Sequence, residues 1–158
     1  MEEPILNEAK KDYHRPMHTA EHILNQTMVR MFGCERSKNS HIERKKSKCD
    51  YFIDESPDQD KINEIEARVN AQIERSLDVK IDFVNRNNVP AGVDLSKLPE
   101  NASETLRIVY VGDYDVCACI GEHVNNTSEI GEFKIISSDY NEGRLRVRFK
   151  LENCPYTE

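Results

Sequence analysis

The chain is predicted to fold as an α+β protein, a mostly antiparallel sheet with helices packed on it. Two observations carry this. Apolar residues recur at helical spacing in two separate segments, and between and after them come short segments of strand character. The order helix, strand, helix, then several strands is that of an α+β domain.

The first helix is placed at residues 16–33. Pro16 suits a helix start, and Gly33 suits its end. Met17, Ala20, Leu24, Met28 and Met31 form its apolar stripe, with His18 and His22 just beside it and so half-buried. Residues 36–48 read as a basic loop or hairpin, and Cys49-Asp50-Tyr51-Phe52-Ile53 as a short strand. Ser56 is the expected N-cap of a second helix of about 20 residues, with Pro57 at N1 and Gln59 closing a capping box. Ile62, Ile65, Val69, Ile73 and Leu77 follow as its buried stripe, and its charged opposite face places it on the surface of a sheet. Residues 79–84 alternate as a strand. Residues 85–104 are polar, with room for a short helical turn. Residues 106–111 form a strand before the turn Gly112-Asp113, and residues 131–136 form another. In the last strand Leu145, Val147, Phe149 and Leu151 alternate with Arg144, Arg146, Arg148 and Lys150, so one face is buried and the other carries a row of positive charge.

A length of 158 residues fits one domain, taken as residues 1–158 with its core over about 14–151, large enough for a core without cross-links. No apolar run approaches the roughly 18 residues of a membrane span. The acidic N-terminus lacks an apolar stretch, so no secretory leader is expected. The five cysteines, 34, 49, 117, 119 and 154, then read as reduced thiols of a cytoplasmic protein. The net charge of −7 argues against binding nucleic acid through bulk charge, and neither DNA nor a membrane is an expected partner. A local basic patch nevertheless exists: Arg36, Lys38, Arg44, Lys45, Lys46 and Lys48.

The spacing with most chemical content is double. His18 and His22 are four apart, and so are Cys119 and His123. On a helix, such a pair shares one face. Imidazole and thiolate are zinc's preferred donors, so the two pairs together would complete one tetrahedral shell. Three of the five histidines fall in these pairs; His14 and His41 do not. Cys117 is a rival ligand, because on a strand it would face the same way as Cys119. Glu21 and Glu122 each precede a ligand and are candidates for a base or for holding a ligand in place. His18-Thr19-Ala20-Glu21-His22 also matches the H-x-x-E-H pattern of a zinc peptidase with Glu21 as base. That alternative leaves Cys119 and His123 unexplained. A non-catalytic, zinc-containing RNA-binding module is a third reading.

Residues 18–24, together with the stretch from Asp115 to Ile136, resemble the editing domain shared by alanyl- and threonyl-tRNA synthetases. The shared pattern is H-x-x-x-H, then C-x-x-x-H, a threonine-containing turn, and Glu129-Ile130-Gly131-Glu132-Phe133-Lys134-Ile135. Residues 106–113 resemble the strand that precedes it, and the likeness covers roughly residues 14–151. The chain is most similar to the short stand-alone alanyl-tRNA editing proteins of the AlaX type. Gly121-Glu122-His123, where the synthetases usually carry Gly-Thr-His or Gly-Pro-His, points the same way. The glycine-rich segment of the longer editing proteins is absent.

The resemblance implies the synthetase editing-domain architecture. It also implies a zinc-dependent hydrolase that acts in trans on mischarged tRNA, removing serine or glycine from tRNA for alanine. It assigns zinc to His18, His22, Cys119 and His123. It places a substrate-reading polar residue on the strand after the first helix, where Asn39 and Ser40 stand, with Thr19 a further hydroxyl beside the metal. Lys38, Arg44, Lys45, Lys46, Lys48, Arg144, Arg146 and Arg148 would line the approach of the polyanionic acceptor end, since phosphate contacts position without reading sequence.

Overall fold

The computed structural model describes residues 14–90, 93 and 105–156. Helix α1, Arg15–Phe32, has Pro16 in its first turn and ends at Gly33, whose φ of 66° is left-handed and whose N–H donates to the Val29 carbonyl. Met17, Ala20, Ile23, Leu24 and Met28 are fully buried. His18 and His22 are 2% and 0% exposed, deeper than their place beside the apolar stripe suggests. The cause is that α1 meets strands of two different sheets and is covered on more than one face.

The first sheet has the order β1-β2-β7-β6, all antiparallel, with β1 at Ser40–His41, β2 at Ser47–Phe52, β6 at Glu132–Asn141 and β7 at Arg144–Glu152. The second has the order β3-β4-β5, also antiparallel, with β3 at Val79–Asn85, β4 at Thr105–Val111 and β5 at Asp115–Ala118. The architecture is α+β, as the sequence predicts. Among the described residues, no helix is long and apolar enough to cross a membrane.

Alternation fixes which way each strand of the first sheet faces. Leu145, Val147 and Phe149 enter the core beside Cys49 and Tyr51 of β2 and Phe133 of β6. Each such side chain contributes roughly 1.5–3 kcal/mol through burial. Lys48, Asp50 and Phe52 therefore face the other side of the sheet, opposite Arg148, Arg146 and Arg144 in register. Strand β6 runs to Asn141, five residues past its predicted end. Its turn, Glu142-Gly143, has positive φ at both residues (50° and 85°), as a tight hairpin needs. Glu is an unusual first residue there, so the sequence hides the hairpin. A register shift between Ile135 and Ser137 leaves Ile136 exposed.

Helix α2, Gln59–Glu74, is shorter than expected at 16 residues. Asp58, not Ser56, is its N-cap, accepting from the Lys61 N–H at 2.9 Å. Ile62, Ile65, Val69 and Ile73 form the buried stripe; Leu77 lies past the helix end but packs on the same core. Of the polar stretch 85–104, residues 86–88 form a single 3-10 turn, while residues 91–92 and 94–104 lie outside the described residues. A second 3-10 turn, Thr127–Glu129, carries a full capping box between Asn126 and Glu129. Gly131 after it is required: a Cβ there would stand 2.5 Å from the Glu152 carbonyl, and its φ is 87°.

Candidate metal centre

Helix α1 supplies His18 and His22 one turn apart. Cys119 follows the end of β5, and His123 lies four residues on. The fold brings these four together: one donor atom from each lies within 4.8 Å of every other, and all four residues are buried. The group can hold a metal ion. The three imidazoles pack mutually, with ring centroids 4.2–5.0 Å apart. The Cys119 Sγ is 3.6 Å from His18 Nε2. Cys117 is not part of the group. Cys117 lies within β5, whereas Cys119 lies just past its end at Ala118, with its N–H still donating to the Arg107 carbonyl opposite it.

Each histidine is anchored through Nδ1. His18 Nδ1 donates to the Glu122 carbonyl at 3.0 Å. His22 Nδ1 faces the Asp115 carboxylate at 3.5 Å. His123 Nδ1 is 3.0 Å from Thr19 Oγ1. That hydroxyl also lies 3.1 Å from the Arg15 carbonyl and accepts from the Val124 N–H at 3.2 Å. A hydroxyl has one proton and two lone pairs. Donating to Arg15 and accepting from Val124 and His123 uses all three, and it places the His123 proton on Nδ1. A carbonyl oxygen only accepts, so His18 also carries its proton on Nδ1, while His22 Nδ1 faces the Asp115 carboxylate in an ion-pair contact. These tautomers leave Nε2 of His18 and of His123 as donors to a metal.

Other side chains sit where sequence reasoning did not put them. Thr19 was a candidate substrate contact; its hydroxyl is wholly occupied in orienting His123. The Glu122 side chain turns outward to Arg15 at 2.8 Å and is 63% exposed, so its part in the centre is its backbone carbonyl. That hydrogen bond holds the Arg15 guanidinium above its ordinary pKa. Glu21 is the opposite case: 1% exposed, with a carboxylate oxygen 3.7 Å from His18 Nε2. Tyr51 lies close by, its hydroxyl donating to Asn25 Oδ1 at 2.6 Å. Burial raises its pKa well above the usual value, and Cys49 and Glu21 add to that.

Asn39 turns to the outer face, where its amide donates to Asp50 at 2.7 Å. Ser40 pairs in register with Cys49, so it shares the face of Cys49 and Tyr51 that looks toward α1; its hydroxyl donates to Ser37 at 3.0 Å. Arg107 braces the loop that carries Cys119, donating to the carbonyls of Cys119 and Gly121. Burial lowers its pKa. A cleft of about 150 Å³ lined by Arg15, Ile81, Arg107, Glu122 and His123 opens beside the group.

The basic residues divide. Lys46, Lys48 and Arg148 gather with His41 around a cavity of about 300 Å³ on the outer face. Arg44 and Lys45 are exposed in the preceding loop, and Lys38 pairs with Glu35 at the surface. The row on β7 is largely neutralised: Arg146 binds Asp50 through both its oxygens at 2.8 and 3.0 Å, and Arg144 and Arg148 both reach Asp139. Burial would push the Asp50 carboxyl up, but hydrogen bonds from Arg146 and Asn39 outweigh it and hold its pKa below the ordinary range. Arg36 leaves the patch altogether: it is 6% exposed and clamps Asp115 at 2.6 and 3.1 Å. Asp115 is the residue sequence reasoning missed. Its only signal was a carboxylate four positions before Cys119.

Comparison with known proteins adds to this geometry. Residues 106–148 match the family described as the threonyl and alanyl tRNA synthetase second additional domain. The match includes Cys119 and His123. The chain is also similar to the alanine–tRNA ligases of Petrotoga mobilis (30% identical over 144 residues, 90% of this chain) and Pseudoalteromonas translucida (27% over 136 residues, 85%). That of Buchnera aphidicola subsp. Cinara cedri is 27% identical over 133 residues, 84% of this chain. The chain spans only 15–16% of the length of these relatives.

Proposed function

We propose that this chain is a zinc-dependent hydrolase that acts in trans, freeing wrongly attached serine or glycine from tRNA for alanine, as the short stand-alone AlaX-type editing proteins do. The observation that carries this reading is the buried group of three imidazoles and one cysteine sulfur, in which Nδ1 of His18 and of His123 is hydrogen-bonded outside the group and that of His22 faces a carboxylate. Three nitrogens and one sulfur are a zinc donor set, and at bond lengths of about 2.0–2.1 and 2.3 Å neighbouring N and S donors stand about 3.6 Å apart. The His18–Cys119 separation of 3.6 Å agrees.

Bound zinc would polarise the ester carbonyl or lower the pKa of a water. The chain's own residues do the rest. Glu21, buried beside His18 Nε2, accepts a proton from the attacking water as its oxygen bonds to the ester carbon. The carbon–oxygen bond to the ribose breaks, and the proton passes to the ribose oxygen. Ser40, on the α1 side of β1, offers a hydroxyl to the serine side chain. A site built around that hydrogen bond rejects alanine far better than a methylene difference, worth about 1–3 kcal/mol, can achieve. The cleft beside His123, between Arg15 and Arg107, admits the acceptor end. Lys46 and Lys48 hold backbone phosphates further along.

The peptidase reading is less well supported, because His123 and Cys119 join His18 and His22 in one group and, among the described residues, no carboxylate does. Seryl-, glycyl-, alanyl- and threonyl-tRNA presented to metal-replete protein test the proposal. Hydrolysis of the seryl or glycyl ester with alanyl-tRNA spared is the expected result. Hydrolysis of none of the four overturns it.

A further inference from the structure

Asp115 opens β5 with a fully buried side chain. Three groups of α1 and its following loop converge on it. Arg36 grips both carboxylate oxygens, the Gln26 amide donates at 3.0 Å, and His22 Nδ1 lies 3.5 Å from Oδ2. The neighbouring residue is gripped as well: the Tyr114 hydroxyl meets Thr27 Oγ1 at 2.7 Å, and Arg30 donates to the Tyr114 carbonyl at 2.8 Å. The last two turns of α1 are thus bolted to the start of β5, and β5 runs directly into Cys119. An unpaired buried carboxylate would be costly. Arg36 answers that charge through both oxygens, and Oδ2 faces the His22 ring.

We propose that Asp115 is the positioning residue of the metal centre. It fixes His22 as the Nδ1–H tautomer, aims its Nε2 at the metal, and through β5 sets the distance between His22 and Cys119. This rests on the reading that the four residues hold zinc. The other two histidines receive the same service from a backbone carbonyl and a neutral hydroxyl. Asp115 alone brings a charge, which makes the ring a better donor and offsets part of the cation's charge. A plain ion pair that merely joins Arg36 to β5 would be indifferent to metal.

The test is zinc affinity, measured by competition with a chromophoric chelator, for the native chain and Asp115→Asn. The substitution keeps the shape and leaves a carbonyl for one of its donors. The expected result is a 10–100-fold loss of zinc affinity, the usual cost of losing an outer partner of a ligand, with the cobalt-substituted absorption spectrum altered. A lower thermal midpoint of the metal-free protein with zinc affinity unchanged would make Asp115 structural only and overturn the proposal. If Asp115→Asn does not fold, the native zinc-loaded protein decides: its imidazole ¹H–¹⁵N spectrum should show His22 protonated at Nδ1 and metal-bound at Nε2, and the reverse overturns it. Native protein that binds no zinc removes the hydrolase reading too, whereas zinc-binding native protein with an unaffected variant removes this inference alone.

Discussion

Thr19→Val removes one oxygen from the interior and keeps the shape of the side chain. That oxygen accepts from the His123 ring and the Val124 N–H and donates to the Arg15 carbonyl, and Thr19 is wholly buried. Its loss strands two donors, Nδ1–H of His123 and the Val124 amide; the Arg15 carbonyl lies within a helix and keeps its helical partner. Each stranded donor costs about 1–3 kcal/mol, so the expected destabilisation is roughly 2–6 kcal/mol. For a chain of this size a kcal/mol moves the thermal midpoint by about 2–4 °C, which gives a fall on the order of 10 °C. The freed ring should also cost zinc affinity, by about 10–100-fold. Thr19→Ser keeps the hydroxyl and should retain most of both. Differential scanning calorimetry and a zinc competition titration read the two effects. A Thr19→Val protein that matches the native chain in both, or a Thr19→Ser protein as impaired as Thr19→Val, would refute the assignment of that hydroxyl to His123.

Cys119→Ser should abolish stoichiometric zinc binding while Cys117→Ser leaves it intact, read by metal analysis of purified protein; equal losses would restore Cys117 as a ligand. Because the Asp50 carboxyl is held below its ordinary pKa, its stabilising effect is full above the unfolded value of about 4 and is lost as pH falls through the folded one. Arg146→Met lets burial dominate and raises that pKa, so acid unfolding followed by circular dichroism should begin at a higher pH; an unmoved acid midpoint would contradict this. Lys46→Glu with Lys48→Glu should weaken tRNA binding and flatten its salt dependence, the log–log slope losing about 0.7–0.9 for each phosphate contact removed. Arg146→Met should leave that slope unchanged, since its charge is already answered by Asp50.

The elements that local pattern controls were legible in the sequence. Pro16, Gly33 and the stripe from Met17 to Met28 mark α1 to within a residue, and strict alternation from Leu145 to Leu151 marks β7. Features decided by a distant partner were not. Nothing local to Arg144, Arg146 and Arg148 shows that Asp50 and Asp139 would neutralise them, because those pairings are set by strand register. Arg36 looked like one cation among six until Asp115 drew it inside. The choice between Cys119 and Cys117 turned on where β5 ends, and element ends are the least certain part of any pattern. Within the group, spacing named the four donors; it could not supply the Nδ1 partners, which come from 104, 93 and 104 residues away for His18, His22 and Thr19's contact with His123.

The most direct test of the account is the initial rate of seryl-tRNA hydrolysis by the zinc-replete chain, measured before chelation, after chelation, and after zinc is restored. The account predicts hydrolysis that the chelator abolishes and zinc returns. A rate indifferent to the chelator, or no hydrolysis with a full complement of zinc, would contradict it.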